Sequence, residues 1–99
     1  MTSGIYILTN KANGRRYIGY SVDIEARWED NKNQLKRGGW KYRPLMNDDW
    51  QKHGENAFSW GILEVLDTRE PAEFNKRVKY WKDLIKPEYN QKIHDVPYA

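Results

Sequence analysis

Apolar and polar positions form two short strand-like blocks in the first twenty residues. Ile5 to Thr9 and Arg16 to Tyr20 are rich in apolar and aromatic side chains, and Asn13-Gly14 lies between them. Asn-Gly between two such runs is the strongest short-range signal of a β-hairpin, because both central residues of a type I′ turn need positive φ. The pattern therefore predicts two antiparallel strands at the start of the chain.

Helical periodicity then appears in two longer segments, the first opened by Ser21-Val22-Asp23 and expected to end at Gly38-Gly39. In each segment four residues recur at spacings of four, three and four, which places them on one face of a helix. The two sets are Ile24, Trp28, Asn31 and Leu35 in the first helix, and Phe74, Val78, Trp81 and Ile85 in the last. Since Asn31 is polar, it is expected to point towards the core or a cleft.

The remaining segments complete a mixed architecture. A shorter helix is predicted from about Leu45 to Lys52, a third strand from Phe58 to Leu66, and a last helix that begins near Pro71 and stops at Pro87. The order strand, strand, helix, helix, strand, helix favours a small sheet flanked by helices, within a single domain over residues 1–99.

Composition adds a modest preference for a polyanionic partner. The chain has 17 Lys and Arg against 14 Asp and Glu, a net charge of +3, with five Trp and seven Tyr that could stack on nucleobases. The same rings could equally build the core of a small domain. With no Cys, and with imidazoles only at His53 and His94, any metal would need oxygen ligands. No stretch resembles a membrane span or signal peptide, so a cytoplasmic location with no membrane partner is expected.

Three short motifs together resemble the signature of the GIY-YIG nucleases. Gly4-Ile5-Tyr6 is followed ten residues on by Arg16-Tyr17-Ile18-Gly19, and Arg27 lies on the next segment. The resemblance extends to Lys52-His53-Gly54 and to the Tyr89-Asn90 pair, and is greatest to the catalytic domain of phage-type homing endonucleases. It implies an α+β fold in which a small three-stranded antiparallel sheet is flanked by about three helices.

The resemblance also implies a site. Tyr6, Tyr17 and Arg27 would face one cleft and hold the scissile phosphodiester, and Asn90 would help to shape it. A guanidinium grips phosphate through two parallel hydrogen bonds, and a tyrosine hydroxyl near a cation can orient water. Taken singly, each residue is more simply a strand aromatic, a solvated arginine or a turn asparagine. Their joint spacing favours the site.

Two positions depart from the family pattern. Asn31 stands where homing members carry a histidine, and an amide cannot exchange a proton near neutral pH. Val78 stands where the family carries its metal-binding glutamate, three residues before Trp81. Valine cannot ligate Mg²⁺, which needs hard oxygen ligands. No metal site and no cofactor are therefore expected, with Mg²⁺ required only if the chain is an active nuclease.

Other carboxylates were considered as replacements. Glu73 should point off the Val78 face and Glu70 precedes Pro71, while Asp48 and Asp49 are expected on a solvated acidic surface. Trp40 is included as a ligand-binding candidate because it is interleaved with basic residues. That segment is either a phosphate-and-base surface or a solvated loop, and comprises Lys32, Lys36, Arg37, Trp40, Lys41, Tyr42 and Arg43.

Three functions remain open from the sequence, and with them whether the chain is an enzyme. The first is a degenerate GIY-YIG domain that binds nucleic acid or a small signalling nucleotide without efficient cleavage, as a phage anti-defence sequestering protein would. The second is an active Mg²⁺-dependent DNA endonuclease. The third is a protein-binding module anchored by exposed Trp40, Trp50 or Trp60. A homo-oligomer or a protein partner is compatible with each.

Overall fold

The computed structural model describes residues 1–37 and 44–90. Within these residues the elements follow the predicted order and confirm an α+β fold. They are β1 (Gly4–Asn10), β2 (Arg16–Ser21), α1 (Ile24–Lys36), α2 (Pro44–His53), β3 (Phe58–Val65) and α3 (Pro71–Ile85), with short 3₁₀ turns at Glu55–Ala57 and Glu88–Asn90. The predictions that rest on Gly38-Gly39, on Trp40 and its neighbours up to Arg43, and on His94 lie outside the described residues.

The three described strands form one antiparallel sheet with the order β2-β1-β3. β1 is therefore central and β2 lies at an edge. In the β1–β2 register Tyr6 stands directly opposite Gly19, and Leu8 opposite Tyr17. This register brings the two halves of the signature side by side.

The turn between β1 and β2 differs from the predicted type I′ turn. Gly14 has a φ of 79°, but Asn13 is not among the residues with positive φ. The backbone N–H of Asn10 donates to the Arg15 carbonyl at 2.8 Å, which closes a four-residue loop. In this loop the side-chain oxygens of Asn10 and Asn13 accept bonds from the Ala12 and Arg15 N–H groups. A longer loop braced by asparagines thus replaces the two-residue turn.

Helices cover both faces of the sheet, because alternate residues of the central strand point in opposite directions. Tyr6 and Leu8 pack against α1 and α2, where all four members of the predicted α1 set are buried. Ile5 and Ile7 point to the opposite face, where they pack with the predicted α3 set, Phe74, Val78, Trp81 and Ile85. The periodicity therefore identified the inner face of both helices correctly.

Of the three tryptophans named as possible anchors, one is buried, one is exposed and Trp40 lies outside the described residues. Trp50 is only 5% exposed and packs on Phe58, with ring centroids 4.9 Å apart, so its proposed role as an exposed anchor is wrong. Trp60 is 38% exposed and stacks on Trp28 at 6.3 Å. Among the described helices, none has the length and apolar character needed to cross a membrane.

Asp49 also contradicts the sequence analysis, although its neighbour Asp48 is exposed as expected. Asp49 is buried and accepts a hydrogen bond of 2.6 Å from the Tyr89 hydroxyl. Arg15 Nη1 and Asn13 Nδ2 each donate to it at 3.0 Å. Burial alone would raise the pKa of Asp49, but these donors outweigh it and hold the pKa below its ordinary value. The carboxylate therefore joins the hairpin loop, α2 and the last 3₁₀ turn.

Candidate functional site

A cavity of about 420 Å³ opens at the edge of β2, between α1 and α3. Five of the six predicted site residues line it, whereas Trp40 lies outside the described residues. The whole described lining is Tyr6, Tyr17, Ile18, Gly19, Tyr20, Arg27, Asn31, Asn75, Val78, Lys82 and Asn90. The grouping agrees with the prediction, while the role of each side chain in binding stays a prediction.

Gly19 is what allows Tyr6 to occupy this position. The two residues are directly opposite each other in the β1–β2 ladder. A Cβ atom on residue 19 would lie 2.6 Å from both Cζ and the hydroxyl oxygen of Tyr6. Tyr6 can therefore occupy this position only because residue 19 is a glycine.

Tyr6 and Asn31 form a buried polar pair at the base of the cavity. They are 2% and 2% exposed, and Asn31 Nδ2 donates to the Tyr6 hydroxyl at 2.9 Å. Burial, together with the neighbouring Tyr17, raises the pKa of Tyr6 far above its usual value. At neutral pH the Tyr6 hydroxyl is therefore protonated and can both donate and accept a hydrogen bond.

Tyr17 and Arg27 complete the sheet side of the cavity. The Tyr17 ring lies 6.2 Å from the Tyr6 ring, tilted by 55°. Arg27 is in the first turns of α1, which begins where the side chain of Asp23 accepts a bond from the Ala26 N–H. Among the described carboxylates none forms an ion pair with Arg27.

Asn90 holds the edge of β2 through its side chain. Its Oδ1 accepts from the Ile18 N–H at 2.7 Å, and its Nδ2 donates to the Ile18 carbonyl at 2.7 Å. The amide thus satisfies both backbone groups as a neighbouring strand would. The expectation that Asn90 shapes the site has a concrete structural basis.

Replacing this amide tests the pair of hydrogen bonds to Ile18, which we call the Asn90 clamp. Asn90→Ala is expected to lower the free energy of unfolding by about 1–3 kcal/mol, because the Ile18 backbone loses both partners. Asn90→Asp keeps the size but turns a carboxylate oxygen towards the Ile18 carbonyl, so it should be at least as destabilising. Urea denaturation gives both values. A fully stable Asn90→Asp protein would contradict the clamp.

The α3 side contributes residues that the sequence analysis did not assign to the site. Asn75, Val78 and Lys82 are spaced by three and four, so they lie on one stripe, and all three line the cavity. Val78 also packs in the cluster beneath α3. The spacing from Val78 was the signal that could have found Asn75 and Lys82.

The described residues do not fit a Mg²⁺ ion. No carboxylate lines the cavity along residues 1–37 and 44–90, and no group of three or more acidic or histidine side chains within them could hold a metal. None of the four candidate replacements, Glu70, Glu73, Asp48 and Asp49, belongs to the described lining. Glu73 lies beside Lys76 at 3.8 Å, and Asp49 is part of the buried network. Glu64 accepts bonds from Arg77 and Trp81 at 2.8 and 2.9 Å. The described lining therefore consists of amide and hydroxyl side chains, the apolar residues Ile18 and Val78, Gly19 and two cations.

Comparisons with known proteins agree with this geometry. Residues 2–91 match the model of the GIY-YIG catalytic domain. The chain is 34% identical over 85 residues to intron-associated endonuclease 1 of Enterobacteria phage T4, which covers 86% of this chain and 29% of that protein. The chain thus spans under a third of that relative's length.

Two solved structures of the intron endonuclease I-TevI catalytic domain are similar over most of their length. A point mutant has a TM-score of 0.81 at 29% identity, with all of both chains covered. A second structure, described as that of a homing endonuclease, has a TM-score of 0.78 at 28% identity, covering 89% of this chain and 92% of the other. With its signature tyrosines, its glycine and its arginine assembled on one cavity, the chain belongs to the GIY-YIG family and is a nuclease-type domain related to the homing endonucleases.

Proposed function

We propose that this domain binds a phosphodiester ligand in the β2-edge cavity and does not cleave it efficiently. One observation carries the proposal. The cavity keeps Tyr6, Tyr17 and Arg27, yet presents Val78 and no described carboxylate where the family's metal ligand would stand. The groups that bind phosphate are present and the group that would hold a metal is absent from the described lining.

Binding is supported by the donors that face the cavity. Arg27 offers a guanidinium that no described carboxylate neutralises, and its planar fork matches two oxygens of a phosphate. The Tyr6 hydroxyl, held by Asn31, and the Tyr17 ring add polar and stacking surface next to it. A cavity of about 420 Å³ is within the ordinary range for a bound small molecule.

Weak or absent cleavage is supported by two features of the same cavity. Hydrolysis of a phosphodiester needs charge neutralisation on the phosphate and an activated water, which a bound metal supplies in this family. Val78 offers no oxygen ligand. The raised pKa of Tyr6 keeps its hydroxyl protonated near neutral pH, and Asn31 is an amide.

The ligand is either nucleic acid or a small signalling nucleotide. Both carry the phosphodiester that Arg27 would grip, and both offer bases for the aromatic surface. A protein that holds a small nucleotide without destroying it would act by sequestration, as a phage protein directed against nucleotide-signalled defence would. The net charge of +3 is compatible with either ligand.

The test combines cleavage and binding on the same preparations. Wild-type protein is expected to leave plasmid and short duplex DNA intact in Mg²⁺ and Mn²⁺. It should bind a phosphodiester ligand with micromolar affinity, and Arg27→Ala should weaken that binding by about tenfold or more. Lys76→Ala, which removes a positive charge from α3 outside the described cavity lining, is the control. Binding equally weakened by both variants, or absent from the wild type, would refute the proposal.

An active Mg²⁺-dependent endonuclease is the second candidate, and the family match over residues 2–91 favours it. Its requirement is a carboxylate that reaches Tyr17 and Arg27. Metal-dependent cutting by the wild type that Arg27→Ala abolishes would establish it. If cutting appears only in Val78→Glu, the cavity is competent in every respect except its metal ligand.

A further inference from the structure

Lys82 lies at the mouth of the same cavity but belongs to none of the signature motifs. It follows Val78 by four residues on α3, so the two side chains lie on one stripe of the helix. The side chain of Lys82 is exposed and lines the cavity together with Asn75. A flexible cation therefore stands one helical turn from the position that carries the family's metal ligand.

The charges around the cavity are not balanced. Arg27 and Lys82 are the cationic members of its described lining, and no acidic residue belongs to that lining. Neither cation forms an ion pair with a described carboxylate. Other lysines of α3 are paired, Lys76 with Glu73 at 3.8 Å and Lys79 with Asp83 at 2.8 Å. Two cations that no described carboxylate neutralises, placed in one concave surface, create a positive potential that attracts anions.

We propose that Lys82 is a second phosphate-binding cation, and that the cavity takes its phosphodiester ligand without any divalent ion. The inference rests on the proposed function and deepens it. An ammonium group is a strong point-charge partner for phosphate oxygen. Lys82 and Arg27 together neutralise a bound phosphate as a metal would, but an ammonium does not generate a metal-bound hydroxide. The ligand is bound and left intact.

The surface beside Lys82 indicates how a ligand extends. A second depression of about 360 Å³ shares Asn75, Val78 and Lys82 with the main cavity and adds Lys79 and Asp83. Lys82 stands where the two depressions meet. A ligand that reaches from Arg27 along α3 therefore passes over its ammonium group.

A simpler role for Lys82 also exists. It lies in the last turn of α3, where a cation interacts favourably with the carbonyl end of the helix dipole. That role predicts a small loss of stability on replacement and no effect on a ligand. Ligand affinity separates the two roles.

The experiment measures affinity in EDTA and in excess MgCl₂ for two probes, a fluorescein-labelled short DNA duplex and cyclic di-AMP. Wild type, Lys82→Ala, Arg27→Ala and Lys76→Ala are compared. Lys76→Ala removes the same charge from the same helix away from the cavity. We expect wild-type affinity to be equal with and without Mg²⁺, and Lys82→Ala to weaken it about tenfold in both conditions, with less than about twofold change for Lys76→Ala. The probe that binds identifies the ligand class.

The outcomes separate the two proposals. Suppose that the wild type binds a probe and that Arg27→Ala weakens this binding. If Lys82→Ala then binds as well as Lys76→Ala, or if binding needs Mg²⁺, the role of Lys82 is overturned and the phosphodiester-binding function stands. If the wild type binds neither probe, both are overturned. Val78→Glu supplies an independent readout, because a carboxylate four residues before Lys82 pairs with it on the helix. It should weaken binding in EDTA, and unchanged affinity would count against a role for Lys82.

Discussion

Gly19→Ala is expected to remove ligand binding and to lower the free energy of unfolding by about 2–3 kcal/mol. The new methyl group would stand 2.6 Å from the ring and hydroxyl of Tyr6. Tyr6 is 2% exposed and packs in the core cluster beneath α1, so any movement of its ring disturbs that packing. Relief of the clash must move the Tyr6 hydroxyl away from Asn31. This one displacement should lower both the stability, measured by urea denaturation, and the affinity for the probe ligand.

Gly61→Ala is the matched control, since it makes the same change in the same sheet. The nearest atom to a Cβ at Gly61 is a methyl carbon of Ile7 at 4.0 Å, an ordinary contact. This variant should be as stable as the wild type or slightly more so, because glycine in a strand interior is itself unfavourable. Equal losses in the two variants would show that the close approach of Gly19 to Tyr6 is not what the site depends on.

Asp49→Ala is expected to cost about 2–4 kcal/mol of folding free energy at neutral pH. The carboxylate is 6% exposed, and its removal leaves Tyr89, Arg15 and Asn13 without their common acceptor. Tyr89 immediately precedes Asn90, so the clamp on β2 should loosen as well. Asp48→Ala, the same change at the exposed neighbouring position, should be within about 0.5 kcal/mol of the wild type.

The folding free energy lost in Asp49→Ala should also depend on pH in a defined direction. Because hydrogen bonds hold the folded-state pKa of Asp49 below its ordinary value of 3.8, the stabilisation is present above that value and is lost as the pH falls through the lower folded-state pKa. The stability difference between wild type and Asp49→Ala should therefore be constant near neutrality and shrink below about pH 4. Urea denaturation across the acid range measures it. A difference that grows with acid would exclude the network.

Local patterns were enough to predict the elements and their inner faces. Ile24, Trp28 and Leu35 are buried because apolar spacing on a helix determines which face packs. The apolar and aromatic blocks at Ile5 to Thr9 and Arg16 to Tyr20 likewise predicted the first two strands. These predictions need only neighbours within a few residues. The resemblance then supplied the antiparallel pairing and the common cavity of Tyr6, Tyr17 and Arg27.

What escaped prediction depends on contacts between distant segments. An acidic residue on an amphipathic helix is solvated by default, and nothing near Asp49 in sequence signals Tyr89, forty residues on. The hairpin loop takes its shape from asparagine side chains in place of a type I′ turn, although Asn13-Gly14 is the stronger local signal. Lys82 was within reach of sequence reasoning, since it shares the stripe of Val78. Apolar periodicity does not identify it, because lysine is polar.

Tyr6 belongs both to the hydrophobic core and to the lining of the cavity. The signature residues can therefore be retained for stability even in a domain that has lost its activity. A domain that stopped cutting would still lose stability if Tyr6, Asn31 or Gly19 changed, because the first two fill and satisfy its interior and the third makes room for them. In such a domain, selection for a folded protein alone would preserve these three residues. The signature therefore indicates family membership and a stable fold, and it does not by itself establish that a chain cleaves phosphodiesters.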